Sequence, residues 1–219
     1  MGKANNIFDF KIYYSKDIEK LLKTAECLGL SGACVVFHKE NVIEAQNFKT
    51  NSKLHILKGL ELEINTQSDM QNIDKCAEFV DLVFAKIKNE NLVFDVLKSR
   101  KIQILNFDNI VVEQSYLRLT KDANKHIEVC LKSLQIDLKL IKKYKKIIEI
   151  AKRKHYAAGI ILTSGGNKWN ELIGREEAFA ICSVLLKTHP DQSKKIICGK
   201  DLLKQCDKNY LDKGVEIIE

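Results

Sequence analysis

The stretch ILTSGGNKW, residues 161–169, combines residue types that either hold a phosphate or supply a nucleophile. Ser164, Gly165 and Gly166 follow an apolar run that is typical of a buried strand. Two glycines ahead of a helix can hold a phosphate on their backbone N–H groups, and they can equally form a tight turn that needs a positive φ. A nucleophilic Ser164 would need a neighbouring base, and no histidine lies close to it in the sequence. The pattern therefore predicts a turn that binds phosphate or a turn that is only structural.

His38, Glu61 and Glu63 are the side chains at predicted strand ends whose chemistry suits a metal. A metal that activates water needs several His, Asp or Glu ligands that converge on one point. The other residues at these strand ends are mainly lysines, amides and hydroxyls, so we expect no metal site in this chain. Glu61 and Glu63 share one strand face, where we expect them to form ion pairs with lysines. The alternative is a phosphoesterase with a reduced metal site built around His38 and Glu61.

The positive charge of the chain is concentrated in residues 132–154. This segment holds nine Lys/Arg against two Asp/Glu, whereas the rest of the chain holds 27 of each. On a helical wheel, Lys139, Lys142, Lys146 and Arg153 lie opposite an apolar stripe. The stripe consists of Ile136, Leu140, Tyr144, Ile147, Ile148 and Ala151. Such a concentration of positive charge favours a polyanion such as nucleic acid, although the outer face of any barrel helix is also charged.

Short apolar runs alternate with helical segments and would position these residues. Seven predicted strands begin 21–31 residues apart. They are Phe8–Tyr13, Ala33–Phe37, Ile56–Ile64, Asp81–Ile87, Ile102–Phe107, Ile127–Leu131 and Ala158–Thr163. Several are apolar on both faces, as parallel strands covered by helices are, so we predict an α/β barrel with about seven parallel strands. A dinucleotide-binding sheet would need a glycine-rich turn after the first strand, and Tyr14–Asp17 contains no glycine.

Helices are predicted between these strands and after the last of them. Residues 17–29 have apolar positions at helical spacing and end at Gly29, Ser68 is a candidate N-cap for residues 70–79, and residues 91–100 form another candidate. After Thr188 the pattern predicts extra C-terminal helices and does not establish an eighth strand.

Length and composition predict one domain over residues 1–219, in a reducing compartment. A single proline and ten glycines leave no linker. The seven cysteines never form a C-x-x-C pair and several lie in apolar runs, which is typical of reduced, buried thiols in a cytoplasmic protein. No apolar run has the length of a membrane span, and the N-terminus lacks the apolar segment of a signal peptide, so we expect no membrane partner.

Three stretches together carry a family resemblance. In IILTSGGNKWNELIGREEAFAICSVLL, a strand and a Ser-Gly-small turn lead through a short linker into a helix with an arginine near its start. HIEVCLKSL precedes the basic segment, and GLELEI lies in the third predicted strand. In this order the stretches resemble the archaeal ribonuclease P protein component 3 family, related to a eukaryotic ribonuclease P subunit, over nearly the whole chain. The resemblance implies a compact TIM-barrel-like fold related to the polymerase-and-histidinol-phosphatase superfamily of metal-dependent phosphoesterases.

The same kinship bears on the glycine turn. Those phosphoesterases carry D-x-H-x-H on their first strand and S-D-x-H on a late strand, and the matching stretches here are Asp9–Tyr13 and Ser164–Asn167. Lysine and tyrosine replace both first-strand histidines, and glycine and asparagine replace the late Asp and His, while the G-x-E glutamate is kept as Glu61. The resemblance therefore implies that the turn is the remnant of a dismantled metal site.

By this resemblance the chain is a subunit of the ribonucleoprotein that removes the 5′ leader from precursor tRNA. The resemblance implies that the RNA performs the cleavage with its own bound magnesium, and that the chain itself needs no cofactor and holds no active site. Its expected partners are ribonuclease P RNA, one small protein subunit of the same particle and, through the particle, precursor tRNA. A third possibility is a pure scaffold that binds protein and no RNA. Candidate RNA-contacting residues, chosen by charge and placement, are Lys11, Lys86, Lys132, Lys168 and Arg175 at the strand ends and Lys139, Lys142, Lys146 and Arg153 on the basic helix.

Overall fold

The chain folds around a sheet of seven parallel strands paired in sequence order. The computed structural model describes residues 7–71, 73–153, 159–207, 210–212 and 215–216, with the backbone alone for Asp74, Arg153 and the last two ranges. The strands are β1 (Phe8–Tyr13), β2 (Gly32–His38), β3 (His55–Ile64), β4 (Leu82–Ile87), β5 (Ile104–Asn106), β6 (His126–Cys130) and β7 (Gly159–Thr163). This sheet confirms the predicted parallel barrel architecture. Of the predicted strand residues, Ala158 lies outside the described part.

The glycine turn after β7 nearly closes the sheet into a barrel. Ile12 and Gly166 form a parallel bridge between the first and last strands. The Tyr13 N–H donates to the Gly166 carbonyl at 2.9 Å, and the Gly165 N–H donates to the Lys11 carbonyl at 3.0 Å. The turn that was a candidate for chemistry is therefore the seam that joins the two edge strands.

Helices cover the outer face of the barrel. They are α1 (Ile18–Cys27), α2 (Val42–Asn47), α3 (Gln67–Gln71), α4 (Ile73–Ala77), α5 (Val93–Lys98), α6 (Gln114–Asp122), α7 (Leu131–Ile136), α8 (Lys139–Arg153), α9 (Arg175–Ala180), α10 (Pro190–Cys198) and α11 (Lys200–Gln205), with a π-helical turn at Ile181–Leu185 after α9. Helices α10 and α11 confirm the predicted C-terminal helices, and β8 (Tyr210–Asp212) pairs with β9 (Val215–Glu216) in a separate sheet. Ser68 lies inside α3, so its prediction as an N-cap was wrong. None of the described helices is long and apolar enough to span a membrane.

The basic segment forms two helices where the sequence predicted one. Asp137 adopts an extended conformation between α7 and α8, and its Oδ1 accepts a hydrogen bond from the Lys139 N–H at 2.9 Å. Ile136 therefore ends α7 with 80% of its surface exposed, and its assignment to the apolar stripe was wrong. The rest of that stripe is buried as predicted: Leu140, Tyr144, Ile147, Ile148 and Ala151.

Apolar residues fill the part of the barrel interior that is nearer to the starts of the strands. Phe8 and Phe10 from β1 belong to an interior cluster with Cys34, Phe84 and Leu202. Leu202 comes from α11, which therefore covers the end of the barrel where the strands begin. The opposite end, where the strands finish, carries the polar residues, as it does in other parallel barrels.

Candidate functional site

An irregularity in β1 places a lysine inside the barrel. The pairing of β1 with β2 shifts between Asp9 and Ile12, and Lys11, which lies within this shift, points inward. Its Nζ forms ion pairs with Glu61 from β3 and with Glu128 from β6, the latter at 2.9 Å. Only 1% of the Lys11 side chain is exposed, so its prediction as an RNA-contacting residue was wrong. Lys11, Glu61 and Glu128 are called the Lys11 cluster below.

Hydrogen bonds satisfy the remaining oxygens of this cluster. Glu128 accepts hydrogen bonds from the Thr163 hydroxyl at 2.7 Å and from the Asn106 amide at 3.1 Å. The Tyr13 hydroxyl donates to Glu61 Oε1 at 2.8 Å. Buried charges are tolerated when they are paired and hydrogen-bonded in this way. Glu128 was not among the predicted site residues because it lies in a predicted buried strand. The signal that could have revealed it was a lone acidic residue among apolar neighbours.

Burial and neighbouring charge act in opposite directions on these groups. Burial lowers the pKa of Lys11, but the carboxylates of Glu128 and Glu61 outweigh it and hold that pKa well above its usual value. Burial raises the pKa of Glu61, but the Lys11 ammonium and the hydrogen bonds from Lys11 and Tyr13 outweigh it and lower that pKa. Lys11 and Glu61 therefore remain a charged pair at neutral pH.

The Lys11 cluster does not suit a metal ion. The Lys11 ammonium already lies between the two buried carboxylates and forms an ion pair with each of them. His38 Nδ1 lies 4.0 Å from Glu61 Oε1, and the same oxygen accepts the Tyr13 hydroxyl. Across the described residues, no group of three or more His, Cys, Asp or Glu side chains is placed to hold a metal. The geometry gives no support to the phosphoesterase alternative built on His38 and Glu61.

The N–H groups of the glycine turn are used within the fold. Ser164 donates its N–H to Asp9 Oδ1 at 3.1 Å, Gly165 donates to the Lys11 carbonyl, and Gly166 donates to Ser164 Oγ at 3.2 Å. The prediction of a phosphate-binding turn is therefore wrong, because these donors are already occupied. Gly165 has a φ of 64°, which explains the glycine at this position.

Carboxylates pair with two of the lysines at the strand ends. Lys86 lies 3.1 Å from Glu63, and Lys132 lies 3.0 Å from Glu171. The ion pairs predicted for Glu61 and Glu63 are therefore present, the first buried with Lys11 and the second at the surface. Lys168 and Arg175 are exposed. Four of the five strand-end candidates thus reach the surface, with part of their charge already balanced.

Helix α8 has an anchored face and an exposed face. On the anchored face, the Lys143 ammonium donates to three backbone carbonyls after β5, and the Tyr144 hydroxyl donates to Asp108 Oδ1 at 2.5 Å. Lys139, Lys142 and Lys146 lie exposed on the other face. Within the described residues, no carboxylate forms an ion pair with any of these three lysines. Arg153 ends the helix, and its side chain lies outside the described part.

Comparison with known proteins identifies the family. The family model of RNase P subunit p30 matches residues 6–202, which include all seven strands and most of the helices. The chain belongs to the RNase P subunit p30 family. This confirms the resemblance read from the segments around the glycine turn. No curated protein matches the sequence of this p30-family chain.

Solved structures share the barrel of this p30-family chain at low sequence identity. One is a chain from a cryo-EM structure of archaeal ribonuclease P with mature tRNA, at 16% identity and a TM-score of 0.72, with 97% of this chain and 98% of that chain covered. Another is the crystal structure of A. niger ochratoxinase, at 6% identity and a TM-score of 0.58, with 90% of this chain and 71% of that chain covered. At these identities the two likenesses establish the fold alone.

Proposed function

We propose that this chain is a non-catalytic protein subunit of ribonuclease P that binds the RNA component. In this proposal the RNA removes the 5′ leader of precursor tRNA with magnesium that the RNA holds, and the chain adds no cofactor. Membership of the p30 family supports the role. The Lys11 cluster supports the absence of an active site in this chain, because Lys11 forms ion pairs with both carboxylates that would otherwise be available for chemistry.

The observation that carries the RNA-binding role is the exposed face of α8. Its lysines Lys139, Lys142 and Lys146 project from a helix whose other face is fixed to the barrel. A row of unbalanced ammonium groups on a rigid helix attracts the phosphates of a folded RNA and releases the counterions around them. Arg153 extends the row in sequence, and Lys86, Lys132, Lys168 and Arg175 supply a second, weaker group of contacts at the strand ends.

The proposal also includes a protein partner and a compartment. One small protein subunit of the same particle is expected to bind this chain directly, and precursor tRNA is reached through the assembled particle. All seven cysteines are free, four of them buried, which fits a protein of the reducing cytoplasm.

Copurification tests the proposal. The full chain, isolated from its own cells at low salt, should bring down a long structured RNA and cleave precursor tRNA in magnesium. The helix variant, defined as Lys139→Ala, Lys142→Ala, Lys146→Ala and Arg153→Ala together, should recover less of that RNA. The matched control variant carries Lys16→Ala, Lys20→Ala, Lys23→Ala and Lys49→Ala, which remove four exposed charges elsewhere. Recovery of protein partners without RNA would contradict the RNA-binding role and favour a scaffold.

A further inference from the structure

A cavity of about 760 Å³ opens among the strand ends, directly above the Lys11 cluster. Its volume is within the usual range for sites that take small organic groups, roughly 300–1,000 Å³. The charged side chains that line it are of both signs. Lys39, Lys86 and Lys132 supply positive charge, and Glu40, Glu61, Glu63 and Asp69 supply negative charge.

This mixture of charges disfavours a phosphate as the occupant. Lys86 is paired with Glu63 and Lys132 with Glu171, so neither ammonium is an unbalanced charge. The N–H group of Gly165, which borders the cavity, donates to the Lys11 carbonyl within the fold. The cavity therefore offers hydrogen-bond donors and acceptors without a net attraction for anions, which suits a neutral polar group.

Two stacked aromatic rings form one wall. The rings of Tyr13 and His38 lie 5.0 Å apart at an interplanar angle of 19°. Tyr13 is held by its hydroxyl bond to Glu61 and by the Lys11 ammonium 5.6 Å from its ring. His38 covers it from β2, and 52% of the His38 side chain is exposed. Tyr13 covers one face of the imidazole, and we infer that the exposed part of the side chain includes the other face, which can take a further flat group.

We propose that this cavity binds an unpaired nucleobase of the RNA, stacked on the open face of His38. The inference rests on the proposed function, because it needs RNA at this end of the barrel. A nucleobase is flat, uncharged and lined with donors and acceptors, so it meets both the aromatic wall and the mixed charges. Single-stranded bases of folded RNA are commonly held in this way on histidine and other aromatic rings. Lys132 and Asn167 lie at the same mouth, where they can donate to a base edge.

Titration of small probes into the full, isotope-labelled chain tests this directly. Adenosine and adenosine 5′-monophosphate should both shift the NMR signals of the His38 ring, whereas ribose 5-phosphate should not. Equal shifts from ribose 5-phosphate would overturn the proposal in favour of a phosphate site. Shifts from N-acetyltyrosinamide but from neither adenosine probe would overturn it in favour of a protein side chain. No shift from any probe would also overturn it.

Substitutions of His38 separate stacking from other roles of histidine. His38→Ala should weaken adenosine 5′-monophosphate binding by roughly 5- to 150-fold, the range for loss of one base-aromatic stack, whereas His38→Phe should retain it. His189→Ala, at another exposed histidine far along the chain, is the matched control and should change nothing. Equal binding by His38→Ala and the unaltered chain would contradict the inference.

The outcome for the cavity is distinguishable from the outcome for the proposed function. RNA binding that depends on the exposed lysines of α8 but not on His38, with no nucleotide in the cavity, would leave the proposed function standing and reject the nucleobase site. Absence of RNA binding by the unaltered chain would reject both.

Discussion

The Lys11 cluster and the exposed face of α8 use the same residue type in opposite ways. Lys11 is 1% exposed and lies between two buried carboxylates. Lys139, Lys142 and Lys146 are exposed and make no ion pair in the described part of the chain. A buried and paired lysine is required by the carboxylates around it and has no charge to offer a partner, whereas an exposed row has its charge available. The comparison teaches that the surroundings of each lysine, and not the number of lysines, decide which of them have charge to offer a partner.

Removal of the buried ammonium group is the test of this comparison with the largest expected effect on stability. We expect Lys11→Met to lower the free energy of unfolding by about 3–5 kcal/mol, because it leaves two buried carboxylates without their cation. Lys139→Met, on the exposed face, should change it by less than about 0.5 kcal/mol. Urea denaturation of both variants measures the difference. Adding Glu61→Gln and Glu128→Gln to Lys11→Met should recover part of the loss, and equal stability of the two single variants would contradict the assigned roles.

Asp9, another buried group near Lys11, makes the stability of the fold depend on pH. Burial raises its pKa from 3.8 to about 6, although N–H groups of Ser164 and Lys11 donate to it, and its Oδ2 has no partner among the described atoms. The folded state therefore binds a proton between about pH 4 and 6 that the unfolded state releases, and stability falls as pH rises through this window. Asp9→Asn keeps the oxygen acceptor and removes the titration.

The expected result is that the unaltered chain loses about 2–3 kcal/mol between pH 4 and 7 relative to Asp9→Asn. Denaturant unfolding at half-unit pH intervals measures this difference. Parallel profiles for the two proteins would show that Asp9 titrates alike in the folded and unfolded states.

A substitution in the glycine turn that joins the edge strands should have a smaller effect on stability. Gly165→Ala places a side chain at a φ of +64°, and its Cβ would lie 2.4 Å from Cys130 Sγ. We expect a loss of about 1–2 kcal/mol from backbone strain and crowding. Gly29→Ala is the matched control, because Gly29 has a φ of +74° and open space around it, so it should show the strain alone. Thermal unfolding of the two variants separates the contributions, and identical losses would leave no role for the contact with Cys130.

The sequence predicted the seven strands within two residues because buried parallel strands are continuous apolar runs, a local signal. The sequence-based prediction was wrong where a local change in the backbone turns one side chain or ends a helix. The irregularity after Asp9 turns Lys11 inward, and the extended backbone at Asp137 separates Ile136 from α8. Neither leaves a periodic pattern, since both depend on contacts with distant strands or on a local cap. For the same reason the sequence correctly predicted that Glu61 pairs with a lysine, but it did not predict that Glu128 contacts the same lysine from across the barrel.

The salt dependence of RNA affinity tests the central claim most directly. Each lysine that meets a phosphate should contribute about −0.9 to the slope of log K against log salt, by analogy with duplex DNA. For ribonuclease P RNA, the helix variant should therefore have a slope roughly three to four units flatter than the unaltered chain, with unchanged thermal stability. The matched control variant should keep the original slope. A helix variant that binds this RNA with the same affinity and the same slope as the unaltered chain would contradict the account.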